Sequence, residues 1–243
     1  INNFIFMDTK IRLYFYDKIK SDLVAQLNKE QSHYIKNVMR LKVGDSFLIF
    51  NIQGEWQVVI KNFESKKVFI KVLDKLRNEA VSKNLWLAFS PIRQNLLNFM
   101  IQKTTELGVE NFIPIISERS ITKELNTERM KKIFIESSEQ SNRLNVPKII
   151  SPIKLKNFLL EFPKNGILIF CDLNSSKNDL NKILLRKKQG PICVLIGPEG
   201  DFTEKERKYI LSFDQSHSIS LGQNILRTET AAIAAVSIVS FQL

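Results

Sequence analysis

The chain has 243 residues, of which 44% are hydrophobic and 25% charged. These proportions are typical of folded globular domains and exclude a disordered or collagen-like chain. The formal net charge of +11 suits a polyanionic partner such as RNA or DNA, because bound lysines and arginines release condensed counterions. A general bias toward lysine explains the charge equally well, so charge alone leaves both alternatives open.

The chain contains two cysteines and two histidines, too few for a disulfide framework or a metal cluster. Cys171 and Cys193 each lie in an apolar run that predicts a buried strand. No apolar stretch reaches the roughly 18 residues that a membrane span requires. The first residues lack the order of a signal peptide, and Met7 is a candidate start. We therefore expect a cytoplasmic protein without a metal or a membrane partner.

The first part of the chain is predicted to be a small β domain. Short runs rich in β-branched and aromatic residues predict strands at residues 12–16, 47–50, 56–60 and 68–73. Gln53-Gly54 and residues 64–67 have the spacing of hairpin connections, which favours a small barrel or a curled sheet. Residues 30–41 predict a helical turn. We place this domain at residues 1–75, followed by a charged linker at 76–84.

The remaining residues, 85–243, alternate between strand and helix patterns. Strands are predicted at 85–89, 112–116, 167–171, 192–196 and 218–221. Helices are predicted at 95–107, 127–141, 155–161, 179–188, 204–211 and 229–241. This order predicts an α/β domain with a parallel sheet and helices on both faces.

A glycine-rich turn follows the predicted strand at 192–196. Gly197 and Gly200 permit backbone geometry that other residues avoid, and Thr203 with Glu206 forms a capping-box pattern that begins a helix. The glycine spacing differs from a dinucleotide fingerprint, and no phosphate-binding Gly-Lys-Ser/Thr follows. Taken alone, the turn is equally well explained as an ordinary strand-to-helix connection.

A second glycine turn follows the predicted strand at 218–221. It contains Gly222 and leads into Arg227, Thr228, Glu229 and Thr230 at a helix start, where capping needs only one hydroxyl or carboxylate. In open α/β sheets ligands bind at the carboxyl ends of strands. The two turns together predict a ligand site.

The paired segments IGPEGDFTEKE and LGQNILRTETAAIAA resemble the SPOUT methyltransferases, and specifically the bacterial 16S rRNA uridine-N3 methyltransferase family. Residues 102–109 with Pro114, residues 139–147, and His33 with residues 38–45 are similar to the same family, in its order along the chain. The sequence departs from the family's pattern at Asp201, where a second glycine is usual, and at Arg93, where lysine is usual.

The resemblance implies a PUA-like RNA-binding β-barrel followed by a SPOUT-type parallel sheet with a trefoil knot, in a homodimer. It implies S-adenosyl-L-methionine as cofactor, with S-adenosyl-L-homocysteine as product. The implied cofactor-binding residues are Leu195, Ile196, Gly197, Pro198, Glu199, Gly200, Leu221, Gly222, Ile225, Leu226, Thr228 and Thr230. Ile196, Leu221, Ile225 and Leu226 are expected to supply apolar walls.

Arg227 and Glu229 are the candidate catalytic residues. Arg227 is expected to stabilise negative charge on the uracil carbonyls or to bind the target phosphate, and Glu229 to accept the N3 proton. The plainer alternatives are a salt bridge from Arg227 to Glu229 or Glu199, and for Glu229 a carboxylate favoured by the helix dipole.

Further residues are candidates for RNA contact. They are His33, Arg40, Lys42, Lys103, Glu106, Gln140 and Arg143, with Arg119 as a weaker candidate. The plainer alternatives are a pair between Lys103 and Glu106, a packed His33, and solvated surface positions for Gln140 and Arg143. The expected partner is 16S rRNA in the assembled small ribosomal subunit, with the target uridine splayed or flipped out.

Two other functions fit the same sequence. One is ribose 2′-O methylation of RNA, and the other is a non-catalytic RNA-binding or ribosome-assembly factor that retains the fold. A nucleotide-binding α/β protein is disfavoured by the missing phosphate-binding motif.

Overall fold

The computed structural model describes residues 11–120, 125–175, 180–185 and 190–243. The chain divides into two compact units, Ile1–Val81 with Ser138–Val146 and Ser82–Ser137 with Pro147–Leu243. Met7 and the outer residues of the helix predicted at 179–188 lie outside the described part. The return of residues 138–146 to the first unit was not predicted.

The first unit contains a five-stranded sheet. Its strands are β1 (Arg12–Tyr14), β2 (Val24–Gln26), β3 (Ser46–Asn51), β4 (Gly54–Glu64) and β5 (Lys67–Asn78). Their order is β1-β3-β4-β5-β2, in which β1 pairs parallel to β3 and the other pairs are antiparallel. Within the described residues β1 and β2 are edge strands, so the curled sheet is the alternative observed here. Register shifts between β4 and β5 bend this long pair.

The four strands predicted in this unit are confirmed, and the expected linker is partly wrong. Residues 75–78 continue β5, where Asn78 pairs with Gly54 and Arg77 with Glu55. The strand was not predicted to extend this far, because three of these four residues are polar and several of them are exposed. Strand β2 was not predicted, because it is three residues long and mostly exposed.

The predicted helical turn at residues 30–41 is confirmed in two parts. Helix α1 (Lys29–His33) begins with a capping box in which Asn28 and Gln31 bond each other's backbone amides. A π-helical turn over Tyr34–Val38 follows it directly. Arg40 then takes a left-handed conformation with φ +54°, which turns the chain toward β3.

A buried ion pair joins β1 to β4 inside the first unit. The Nε of Arg12 lies 2.6 Å from Oε1 of Glu55, and their side chains are 9% and 5% exposed. The same guanidinium donates to three backbone carbonyls, those of Ser138 (3.0 Å), Glu139 (2.9 Å) and Arg143 (2.9 Å). Burial lowers the pKa of Arg12, and the hydrogen bond to Glu55 opposes that shift. Arg12 thus fixes residues 138–146 to the sheet of this unit.

The second unit is built on a parallel sheet. Its strands are β6 (Leu85–Phe89), β7 (Asn111–Ile116), β8 (Lys148–Ile149), β9 (Ile153–Lys154), β10 (Ile167–Cys171), β11 (Ile192–Ile196) and β12 (Ser216–Ile219). The order is β12-β10-β11-β6-β7-β8, with β9 also paired to β7, and every recorded pair is parallel. The predicted parallel sheet is confirmed, although β12 ends two residues earlier than predicted.

Helices cover both faces of this sheet. They are α2 (Gln94–Glu106), α3 (Thr127–Gln140), α4 (Leu155–Glu161), α5 (Leu180–Leu184), α6 (Glu204–Leu211) and α7 (Thr228–Phe241). Cys193 and Leu195 of β11 pack in one cluster with residues of α4 and α6, whereas α7 contacts β11 and β6. Since side chains alternate along a strand, the remaining residues of β11 face the side opposite to that cluster. The six predicted helices are each found at or near their expected positions.

Replacing Arg12 by methionine is expected to destabilise the first unit. The change removes the closer ion-pair partner of the buried Glu55 carboxylate, leaves only Arg77 at 3.5 Å, and frees three carbonyls. Breaking a buried pair in this way costs about 3–5 kcal/mol. Urea unfolding followed by Trp56 fluorescence in a Trp86→Phe background measures the effect, since Trp56 lies in this unit and Trp86 in the other.

Asp22→Asn provides the matched control. Asp22 forms an exposed ion pair with Lys71 at 2.9 Å, and that surface pairing lowers the pKa of its carboxyl group. Asparagine also tolerates the left-handed conformation at residue 22, φ +61°. An equal loss of stability in the two variants would contradict the special role of the buried pair.

Candidate active site

A cavity of about 460 Å³ lies at the carboxyl edge of the parallel sheet in the second unit. The segments that follow β6, β10, β11 and β12 form its wall, because parallel strands end at one edge. Cofactor sites have volumes of roughly 300–1,000 Å³, so the size suits a cofactor. The lining residues are Arg93, Leu96, Cys171, Asp172, Leu173, Ile196, Gly197, Pro198, Glu199, Asp201, Ser220, Leu221, Gly222, Asn224, Ile225, Leu226, Arg227, Thr228, Glu229 and Ala231.

The first glycine turn closes tightly after β11. A β-carbon at Gly197 would lie 3.1 Å from the ring of buried Phe202, so glycine permits a close approach there. The amide of Asp201 donates to the carbonyl of Pro198 at 2.9 Å, and Oδ1 of Asp201 accepts from the amide of Phe202 at 2.7 Å. Asp201 has φ +59°, the left-handed region that favours glycine. Asp201 also belongs to the wall of the cavity.

Two contacts hold this turn from outside. The predicted capping box is confirmed: Thr203 and Glu206 exchange hydrogen bonds at the start of α6. Oε1 of Glu206 also accepts from the amide of Glu118 at 2.8 Å. Arg119, considered above for RNA contact, donates from Nη1 to the carbonyl of Gly200 at 2.7 Å. The loop after β7 therefore supports the turn.

The second glycine turn, residues 220–227, is more open. Gly222 has φ +130°, and its amide lies 3.3 Å from Oγ of Ser220. Of the expected apolar wall, Leu221 and Leu226 are half-buried, whereas Ile225 is 83% exposed. The wall contributed by this turn is therefore only partly shielded from solvent.

The start of α7 brings the two candidate catalytic residues to the cavity. Arg227 is the N-cap residue, makes no side-chain capping bond and is exposed. Glu229 is only 8% exposed and lines the cavity. Within the described ranges no ion pair joins Arg227 to Glu199 or Glu229, and no hydrogen bond reaches the Glu229 carboxylate. The salt-bridge alternative for Arg227 is thus not what the structure contains.

Asp172 is a wall residue that was not predicted. It follows β10, and its side chain is 1% exposed. The Nε of Arg207 in α6 donates to its two carboxylate oxygens at 3.1 and 3.0 Å. This hydrogen bond raises the pKa of Arg207. The adjacent Cys171 is a neutral thiol, because burial raises its pKa to about 12. Asp172 directly follows a predicted strand, and that position at the carboxyl edge is the sequence signal that could have identified it.

Most implied cofactor residues lie in the wall of this cavity, but Leu195, Gly200 and Thr230 do not. Besides Asp172, the wall residues missing from the predicted sets are Arg93, Leu96, Cys171, Leu173, Asp201, Ser220, Asn224 and Ala231. Arg93 is the N-cap residue of α2 and follows β6 closely. Like Asp172, it follows a predicted strand at the carboxyl edge.

The candidate RNA-contacting residues are divided between the units. In the second unit Nζ of Lys103 lies 2.9 and 3.0 Å from the carboxylate oxygens of Glu106, so the two pair with each other. In the first unit His33, Arg40, Lys42 and Gln140 are exposed, so the packed alternative for His33 is wrong. Arg143 is half-buried and donates to Oδ1 of Asn145 at 3.1 Å.

Among the described residues no cluster of potential metal ligands is found. Both cysteines are free. Within the same residues no helix has the length and apolar character to cross a membrane.

Comparison with known proteins identifies the class as RNA methyltransferase. A family model described as an RNA methyltransferase domain matches residues 79–240, and one described as an RNA methyltransferase PUA domain matches residues 27–73. Ribosomal RNA small subunit methyltransferase E of Rickettsia conorii is 32% identical over 229 residues, covering 93% of each chain. The chain belongs to the ribosomal RNA small subunit methyltransferase E family.

Solved structures agree with this assignment. The crystal structure of ribosomal RNA small subunit methyltransferase E from Neisseria gonorrhoeae, bound to S-adenosyl methionine, has a TM-score of 0.87 and 26% identity, covering 96% of this chain and 98% of that one. A methyltransferase from Legionella pneumophila, in complex with the same cofactor, has a TM-score of 0.85 and 26% identity, covering 97% and 98%.

Substitutions at Asp201 are expected to separate backbone strain from side-chain chemistry. Asp201→Ala keeps φ +59° without the local hydrogen bond to Phe202, at a cost of about 1–2 kcal/mol. Asp201→Gly is expected to lose less, because glycine adopts this conformation without strain. Urea unfolding followed by Trp86 fluorescence in a Trp56→Phe background measures both. Full stability of the alanine variant would show that the turn is not constrained at residue 201.

Proposed function

We propose that the protein transfers a methyl group from S-adenosylmethionine to N3 of a specific uridine in 16S rRNA of the small ribosomal subunit. The observation that carries this proposal is that Glu229, a residue 8% exposed whose carboxylate has no described partner, lines one cavity with the exposed residue Arg227. Support for the substrate comes from relatives named as small subunit ribosomal RNA methyltransferases.

The cavity suits this cofactor in size and in the chemistry of its wall. Two glycine turns expose backbone amides and carbonyls for the polar edges of a nucleoside, and Ile196, Leu221 and Leu226 offer apolar surface. The backbone around Gly197, Pro198 and Gly222 would hold the cofactor. Solved relatives were obtained in complex with it.

When bound, the cofactor would supply an electrophilic methyl group on a positively charged sulfur and would leave as a neutral thioether, while N3 would give up its proton. Glu229 is proposed to accept that proton, which its position in the cavity wall and the absence of a described partner for its carboxylate support. Arg227 is placed to stabilise the negative charge that the uracil ring gains. Arg227 is exposed at the N-terminus of α7, so its guanidinium is accessible to RNA.

The first unit is proposed to position the RNA. Arg40 and Lys42 are exposed basic side chains that follow the π-helical turn, and His33 precedes it. Contacts of this kind bind phosphates and fix register without reading sequence. Gln140 and Arg143 are proposed to contribute from the segment that Arg12 attaches to the same unit.

We also retain the trefoil knot, the homodimer and the assembled small subunit as proposals based on the family resemblance. Phe241, at the end of α7, is 95% exposed, which favours an apolar contact with a second copy. Light scattering in solution measures the oligomeric state, and a monomer at micromolar concentration would contradict the dimer.

Arg227→Ala is expected to reduce kcat roughly 10²–10³-fold, because a preorganised charge is removed from the reacting base. Cofactor affinity is expected to stay within about twofold of the wild type. Labelled methyl transfer to unmodified small subunits, followed by nuclease digestion and mass spectrometry, measures the rate and identifies the product. Lys208→Ala, an exposed substitution on α6, is the matched control.

Three outcomes of this experiment would contradict the proposal in different ways. Methylation on ribose would favour 2′-O chemistry. Cofactor binding without transfer would favour a non-catalytic RNA-binding factor or another RNA substrate. A protein that does not bind the cofactor would refute the methyltransferase activity altogether.

Lys42→Gln and Arg40→Gln are expected to weaken binding to small subunits, because each removes an exposed cation that is proposed to contact phosphate. Each should lower the slope of log affinity against log salt by about one. Binding of labelled protein across a salt series measures this slope, with Lys208→Gln as control. An unchanged slope would exclude the residue from the RNA contact.

A further inference from the structure

The negative charge of Glu229 also affects which ligand the cavity binds, apart from any proton transfer. Its carboxylate is in the wall of the cavity, its residue is 8% exposed, and no described residue forms a hydrogen bond or an ion pair with it. A carboxylate in the wall of a cavity attracts a cationic ligand, most strongly where water screens it little. The ligand of this cavity is therefore expected to bring a positive charge.

The other charged groups in the wall of the cavity cancel one another, so Glu229 supplies its net negative charge. Asp172 is neutralised by Arg207 at 3.0 Å. The wall also contains two positively charged residues, Arg93 and Arg227, and two further negatively charged residues, Glu199 and Asp201. These four charges sum to zero, and all four residues are more exposed than Glu229. Water and salt screen exposed charges strongly and buried charges much less. Among the described residues, Glu229 is thus the least screened unbalanced charge of the cavity.

We propose that Glu229 raises the affinity of the cavity for the methyl donor relative to the demethylated product. The inference depends on the proposed function in one respect, that S-adenosylmethionine binds in this cavity. The donor carries a sulfonium cation, whereas S-adenosylhomocysteine has a neutral thioether and the same remaining charged groups. An unscreened carboxylate therefore distinguishes the two ligands by one full charge.

Glu229, the second residue of α7, lies beside two sources of positive charge. The amino end of α7 carries partial positive charge, and Arg227 beside it carries a full one. Both would disfavour a sulfonium in the cavity if they stood alone. Glu229 offsets them from the first turn of the helix and makes the site compatible with the cationic donor.

Titration calorimetry on the full chain without RNA tests this selection. Glu229→Gln keeps the shape of the side chain and removes its charge. Affinity for S-adenosylmethionine is expected to fall roughly tenfold, and affinity for S-adenosylhomocysteine by less than about twofold. Glu199→Gln, which removes an exposed carboxylate from the same wall, is the matched control and should change the ratio of the two affinities far less.

An equal loss of affinity for both ligands, or an unchanged ratio, would overturn the inference. A measurement on the wild type gives a test that does not depend on how the variant folds. Sinefungin carries an ammonium group on the carbon that replaces the sulfonium, and it should bind more tightly than S-adenosylhomocysteine at low salt. Equal binding of these two ligands would also overturn the inference.

The binding ratio and methyl transfer are separate readouts. A ratio that depends on Glu229 supports the inference even if no methyl group reaches small subunits, a result that would refute the proposed function. Methyl transfer with a ratio independent of Glu229 would overturn the inference and leave the proposed function standing.

Discussion

The parallel arrangement of β6, β10, β11 and β12 is the constraint on which the cavity depends. Because these strands run in one direction, the four segments that follow them meet at one edge of the sheet. The segments are distant in sequence, and pairing of the strands alone brings them together. Tight turns and helix starts at that edge then supply both the backbone groups and the charges of the site.

Charge in the buried parts of the molecule is handled in two different ways. Arg12 with Glu55 and Arg207 with Asp172 are closed pairs, each with short contacts that satisfy both partners. Glu229 is also buried, at 8% exposure, but has no described partner. An ion pair fixes the position of the chain segments that it joins. A carboxylate without a partner in a cavity wall is available to interact with a ligand bound in that cavity.

Local patterns predicted most of the secondary structure and part of the site. Strand and helix periodicity located the elements of the second unit, and the capping box of Thr203 and Glu206 was visible in the sequence. The short strands β2, β8 and β9 were missed because two or three residues show no periodicity. The two buried ion pairs join residues 43 and 35 positions apart, and no local pattern encodes such contacts.

The return of residues 138–146 to the first unit has a consequence for folding during synthesis. The carbonyls that bind Arg12 are supplied about sixty residues after the last strand of that sheet has been made. The sheet cannot complete its contacts until residues 82–137 of the second unit have left the ribosome. The first unit is therefore discontinuous in the gene, and cutting the chain after residue 81 would yield an incomplete domain.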